Sequence, residues 1–181
     1  METYILLLRG INVGGKNIIS MKELKTLFED SGFKNVKTYI NSGNVIFSSE
    51  QTDINQIISH CESLIKEQFS LDIKVLIVEI NKFIKVIEQI PSTFKESDKD
   101  YYDTVVFMMP GVTAESVLNT IENKLTDYDV IHAKTDVIYW RAYLPSFSKS
   151  GLGKLAATKV NQLITIRTIK TVNKILELHY K

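Results

Sequence analysis

Val36-Lys37-Thr38-Tyr39-Ile40-Asn41-Ser42-Gly43-Asn44-Val45-Ile46-Phe47-Ser48 reads as two strands, 36–40 and 45–48, around the turn Asn41-Ser42-Gly43-Asn44. That turn alone is a strong hairpin signal. Upstream, Tyr4–Leu8 is a strand and Met21–Ser31 a helix with Met21, Leu24, Leu27 and Phe28 on one face. Ser20 with Glu23 forms a capping box, and Ile19 with Leu24 the matching hydrophobic staple. Gly32 suits a left-handed helix cap, with Phe33 folding back on the helix. Downstream, Asp53–Phe69 carries Ile54, Ile57, Ile58, Cys61, Leu64, Ile65 and Phe69 at helical spacing, and Ile73–Ile80 is a strand. The order β-α-β-β-α-β is that of a split βαβ, or ferredoxin-like plait.

The second half repeats the pattern: helix 82–90, a polar connection 91–100, strand 104–109, helix 113–124, and a hairpin of strands 130–134 and 137–143. A loop over 145–153, a helix over 155–163, a short strand 164–167 and a last helix capped by Thr168 follow. The expected fold class is therefore α+β: two ferredoxin-like (alpha-beta plait, βαββαβ) units with antiparallel sheets, over 1–80 and 81–181. The strands at 4–8, 73–80 and 104–109 are apolar on both faces, whereas a lone plait leaves one face wet. Their second faces are expected to pack on each other, with a homodimer as the alternative.

Composition excludes several classes. The chain of 181 residues is 44% hydrophobic and 24% charged, ordinary for a globular protein, and no apolar run reaches membrane-spanning length. Its single cysteine, Cys61, rules out an internal disulfide framework and fits a reducing cytosol, so a cytoplasmic location is expected. The net charge of +1 hides an asymmetry: 149–181 holds seven Lys/Arg against Glu177 alone, or +6, leaving −5 for 1–148. A basic tail can track phosphates, though a solvated helix face explains it as well.

Arg9-Gly10-Ile11-Asn12-Val13-Gly14-Gly15-Lys16-Asn17 packs three glycines and two cations into nine residues after the first strand. Bare backbone N–H groups flanked by cations suit an anion. The spacing from Gly10 to Gly15-Lys16 imitates a P-loop, but Asn17 stands where a Ser or Thr must reach Mg²⁺. The helix signal also comes too late, at Ser20.

Tyr4–Asn17, Met21-Lys22-Glu23-Leu24, Gly32-Phe33 and Val36–Phe47 together resemble the bacterial family catalogued as domain of unknown function 1697. Tyr139-Trp140-Arg141-Ala142 and Ser150-Gly151-Leu152-Gly153-Lys154 extend the resemblance more loosely. The resemblance implies two ferredoxin-like plaits and a cytosolic bacterial protein, with no established reaction. Where the family has a Thr-Arg-Asn-Trp-Asn-Thr type segment, this chain keeps Arg167 but has Thr168 and Ile169.

Arg141 shares a strand face with Tyr139 and Tyr143, an arrangement able to grip a carboxylate or phosphate. Arg167 is placed at the opening of the last helix, where the dipole disfavours a cation unless an anion is bound. The hairpin turn 41–44 is expected at the opposite end of the sheet from the 9–17 loop. Ser150–Lys154 reads as a mobile glycine-rich loop. His60, His132 and His179 lack metal-ligand spacing, so no metal site and no cofactor are expected. The leading expectation is a protein that binds a phosphate-bearing ligand, a nucleotide or nucleic acid, through Arg9, Asn12, Gly14, Gly15 and Lys16, with Arg141 and Arg167 as further contacts. The alternatives are a small enzyme using an interdomain cleft, with Lys16 or Lys154 in the chemistry, and an oligomerising interaction module without catalysis.

Overall fold

The computed structural model describes residues 1–94 and 98–181; part of the polar connection 91–100, residues 95–97, lies outside them. The chain divides into two compact units, Met1–Lys85 with Ile175–Lys181, and Val86–Lys174. The first holds β1 (Glu2–Leu8), α1 (Met21–Asp30), β2 (Lys34–Tyr39), β3 (Asn44–Ser49), α2 (Ile54–Phe69) and β4 (Val75–Glu79), after which the chain enters α3 (Ile80–Glu88). Its strands form one antiparallel sheet in the order β2-β3-β1-β4.

The local signals act as sequence chemistry dictates. Ser20 Oγ accepts from Glu23 N at 3.3 Å and starts α1. Gly32, at φ +95°, ends it, and Phe33 N donates to the Phe28 carbonyl at 3.2 Å. Phe33 then stacks on Phe28 with ring centroids 5.3 Å apart. Asp53 is the cap of α2 rather than its first residue, accepting from Asn55 N (2.9 Å) and Gln56 N (3.2 Å). At the far end of the chain, Lys37 Nζ donates to the Leu178 carbonyl at 3.0 Å, which suits a cation beside a helix C-terminus.

Tyr4, Leu6 and Leu8 pack with Leu24 and Phe28 of α1 and with Ile57, Cys61 and Ile65 of α2. Ile5 and Leu7, on the other face of β1, are also fully buried. Burial pushes the Cys61 thiol well above its ordinary range, so it stays protonated as a core group and is no nucleophile.

The second unit repeats the order: β5 (Tyr101–Met108), α4 (Ala114–Ile121), β6 (Asp129–Ala133), β7 (Val137–Tyr143), α5 (Gly151–Leu155) and β8 (Ile164–Thr168), then α6 (Ile169–His179). The sheet order β6-β7-β5-β8 matches the first, again antiparallel. Ile138, Trp140 and Val106 join the core under α4 and α5, while Tyr139 and Val105, on the opposite face, are equally buried. The helix expected over 155–163 begins earlier, at Gly151, and 159–163 is only a 3-10 turn. The reason is the Ser150 cap, whose Oγ accepts from Gly153 N at 3.0 Å. Among the described residues, no helix is long and apolar enough to cross a membrane.

Tyr139 donates its hydroxyl to the Val86 carbonyl at 2.7 Å, and burial raises its pKa from 10.0 to about 12. The folded state thus holds this proton more tightly than the unfolded chain. Its stabilising contribution is complete below pH 10 and lost as pH rises through 12. Tyr139→Phe is expected to lose about 1–2 kcal/mol at neutral pH, since the buried carbonyl loses its donor. The variant should also show a shallower stability loss between pH 10 and 12, measured by urea unfolding across that range.

Candidate functional site

The loop between β1 and α1 is a small, internally bonded structure. Five of its nine residues from Arg9 to Asn17 have positive φ: Gly10, Asn12, Gly14, Gly15 and Asn17. Lys16 N donates to the Val13 carbonyl at 3.0 Å, closing a turn whose central residues Gly14 (φ +58°) and Gly15 (φ +73°) adopt the left-handed backbone of the tightest hairpins. Two asparagines lock it. Asn12 Nδ2 donates to the carbonyls of Ile19 (3.0 Å) and Asn41 (2.8 Å), and its Oδ1 accepts from Ile19 N (2.9 Å). Asn17 Nδ2 donates to the Gly10 carbonyl at 2.9 Å. The Asn12 amide is therefore spent on shaping the loop.

The Asn12–Asn41 bond corrects an expectation. The 9–17 loop and the 41–44 turn lie at the same end of the sheet, not at opposite ends. β1 pairs antiparallel with β3, with Leu7 opposite Asn44, so the point where β1 ends is the point where β3 begins. Leu8 N donates to the Gly43 carbonyl at 2.9 Å, and a Cβ built on Gly43 would sit 2.7 Å from Ile11 Cδ1 and 2.8 Å from Leu8 Cβ. Gly43, at φ +77°, is the seam where the two loops touch. Gly43→Ala is expected to destabilise by about 2 kcal/mol or more, from strain at positive φ and from overpacking. In a two-dimensional amide spectrum it should also move the resonances of 9–17.

Val13 to Ile18 are exposed at this end. Residues 9–18 and 39–44 contain Arg9 and Lys16 and no acid. The neighbouring cation Lys74 is neutralised by Glu62 at 2.8 Å. Val13 and Ile18, each 66% exposed, and Ile40, 46% exposed, add aliphatic surface. Ile40 is at φ +46°, an outlier for a β-branched residue.

Arg141 and Arg167 belong to the second unit and share a sheet face there, opposite Asp103 and Val105 of β5. Arg141 is a bidentate partner of Asp103, with Nε–Oδ1 and Nη2–Oδ2 both at 2.7 Å. Its guanidinium lies over the rings of Phe94 (5.0 Å) and Tyr101 (4.4 Å), and Nη1 is 3.6 Å from Asp98. The Asp103 bond is the main cause holding the Arg141 pKa above its ordinary value. Sequence reasoning missed Asp103, which becomes visible only once β5 and β7 are in register.

Arg167 does not open the last helix. It is on β8, paired with Val105, because Thr168 Oγ1 accepts from Thr171 N at 3.1 Å and delays the helix start to Ile169. Arg167 Nη1 donates to Thr165 Oγ1 and the Ile166 carbonyl, both at 2.9 Å, and burial lowers its pKa to about 10.

The glycine-rich 150–154 segment is likewise a packed helix start rather than a ligand flap. Asp129 Oδ2 accepts from Gly151 N (2.7 Å) and from Thr126 N and Oγ1 (3.1 and 2.9 Å). Its Oδ1 accepts from Trp140 Nε1 at 2.8 Å and Leu152 N at 3.3 Å. A carboxylate of the chain itself thus occupies this helix N-terminus. Among the described residues, no cluster of three or more His, Cys, Asp or Glu could hold a metal ion.

Two four-stranded antiparallel sheets with helices define a mixed α+β protein, and its most distinctive feature is an exposed, asparagine-locked glycine loop. The chain belongs to the family described as protein of unknown function (DUF1697), whose model matches residues 1–139. The match takes in the whole 9–17 loop and the 41–44 turn and ends before Arg141, the 150–154 segment and Arg167. A solved structure of a conserved bacterial protein from Streptococcus pneumoniae is similar over 98% of each chain, with 27% identity and a TM-score of 0.82. No curated protein matches the sequence.

Proposed function

We propose that each unit is a ferredoxin-like plait and that the first binds a phosphate-bearing ligand, a nucleotide or nucleic acid, at the end of its sheet where the 9–17 loop meets the 41–44 turn. The repeated βαββαβ order and matching strand orders support the fold reading. The observation that carries the binding reading is the exposed Gly14-Gly15-Lys16 tip, held in shape by the Asn12 and Asn17 amides before any ligand arrives. A pre-shaped loop loses little entropy on binding, and glycine backbones allow an anion close to the N–H groups. The strained, exposed Ile40 beside it is the kind of backbone outlier that clusters at ligand sites. Arg141 takes no part in this reading, because Asp103 engages its guanidinium.

The test is titration of the full chain with pyrophosphate, adenosine triphosphate and a short oligonucleotide, following the Gly14 and Gly15 amide resonances. Saturable shifts are expected, with affinity about tenfold weaker in Lys16→Ala, the effect of losing one charge-assisted contact. If no phosphate compound moves these resonances, the reading is wrong.

Val13, Ile18 and Ile40 support a second reading, an oligomerising interaction module. Light scattering separates it: a monomer at every concentration removes it.

A further inference from the structure

A second site lies at the other end of β1, independent of the loop reading. A cavity of about 480 Å³ opens there between the end of α1, the outer ends of β2 and β3, and the first turns of α2. β1 has seven residues, so about 20 Å of strand separates this cavity from the glycine loop. Its volume falls in the range of small-molecule pockets.

The lining is built rather than incidental. The exposed ring of His60 is the aromatic surface, backed by the core ring of Phe33, 7% exposed, with centroids 5.6 Å apart and tilted by 52°. Ser49, almost wholly buried, supplies a hydroxyl on the helix-covered face of β3. The Ser48 hydroxyl faces the other side of the sheet, held by Asn35 Nδ2 and Thr3 Oγ1, both at 3.3 Å, whereas Ser49 Oγ accepts from Gln51 N at 3.1 Å, which leaves the Ser49 proton to donate. Two irregularities bend β2 here: the register slips between Lys34 and Lys37, and Asn35 adopts φ +54°. Bulges of this kind re-aim side chains beside sites. The charged side chains lining it, Lys34 and Glu50, are opposite in sign, so the side chains by themselves favour neither an anion nor a cation.

We infer that this cavity binds a flat, uncharged heteroaromatic ring of nucleobase size. His60 supplies the stacking ring with Phe33 behind it, and the Ser49 hydroxyl together with the backbone beyond β3 meets the donors and acceptors on the ring edge. A phosphate is not needed, which sets this site apart from the one proposed at the glycine loop.

The experiment is an amide-shift titration of the full chain with adenosine, with pyrophosphate and cyclohexanol as parallel probes. Adenosine is expected to give saturable shifts at Phe33, Ser49, Glu50 and His60. His60→Ala, a surface change that leaves the core intact, should weaken binding about fivefold or more, and His60→Phe should restore it, as stacking requires. The inference is overturned by no saturable shift with adenosine, by shifts confined to Gly14–Asn17, or by cyclohexanol binding as tightly as adenosine. Because pyrophosphate reads the loop and adenosine the cavity, failure of either reading leaves the other standing.

Discussion

Asp103→Ala is expected to reduce the stability of the second unit by about 3–5 kcal/mol, because it strands a buried guanidinium. Arg141 is 9% exposed and, among the described residues, would keep only Asp98, at 3.6 Å and itself about a third exposed, as an acidic partner. The Phe94 and Tyr101 rings would still flank the cation, but ring faces do not replace two 2.7 Å charge-assisted hydrogen bonds. Replacing both members, Asp103→Leu with Arg141→Met, should recover most of the loss, because the uncompensated charge disappears with its partner. Urea unfolding of the two single variants and the double variant closes the cycle. A single-variant loss below about 1 kcal/mol would show the pair to be a solvated contact with little net worth. The same measurement bears on Arg141 itself: the larger the loss, the more its guanidinium depends on Asp103 as a partner in the folded chain.

Gly153→Ala is expected to be as damaging or more so, at about 3 kcal/mol or above. A Cβ at this position falls 1.9 Å from the Phe147 carbonyl oxygen, a backbone atom that cannot swing aside. Relief requires α5 to move off the 3-10 turn at 144–149. That movement would pull Gly151 N and Leu152 N away from Asp129 and disturb the Trp140 indole that shares this carboxylate. Overpacking a tight core contact typically costs about 1–3 kcal/mol, and here a hydrogen-bonded hub is lost with it. Thermal unfolding gives the size of the effect, and the tryptophan fluorescence of Trp140 reports the hub directly. A melting temperature within a degree or two of the parent chain would contradict this account.

Much of the architecture was legible because it rests on local chemistry. The capping box at Ser20 and Glu23, the left-handed Gly32 with Phe33 folded back, and the 3.6-residue stripe of α2 each act within a few residues. Residues 155–163 misled because their apolar spacing is helical, while the true helix start is set by Ser150 together with Asp129, 21 residues upstream. No periodicity reports a carboxylate that distant in sequence.

The sequence by itself determined the element order, the hairpin at 41–44, the apolar faces and the family to which the chain belongs, because propensity, turn chemistry and period are local properties. Only the tertiary structure decided what the polar residues do. Strand register brought Asn12 to Asn41 and placed Asp103 opposite Arg141. It set Arg167 on the same sheet face as Arg141 and left the Gly14-Gly15-Lys16 tip exposed. Register depends on pairing between segments far apart along the chain, and that pairing separates an asparagine that shapes a loop from a lysine that stays exposed at its tip.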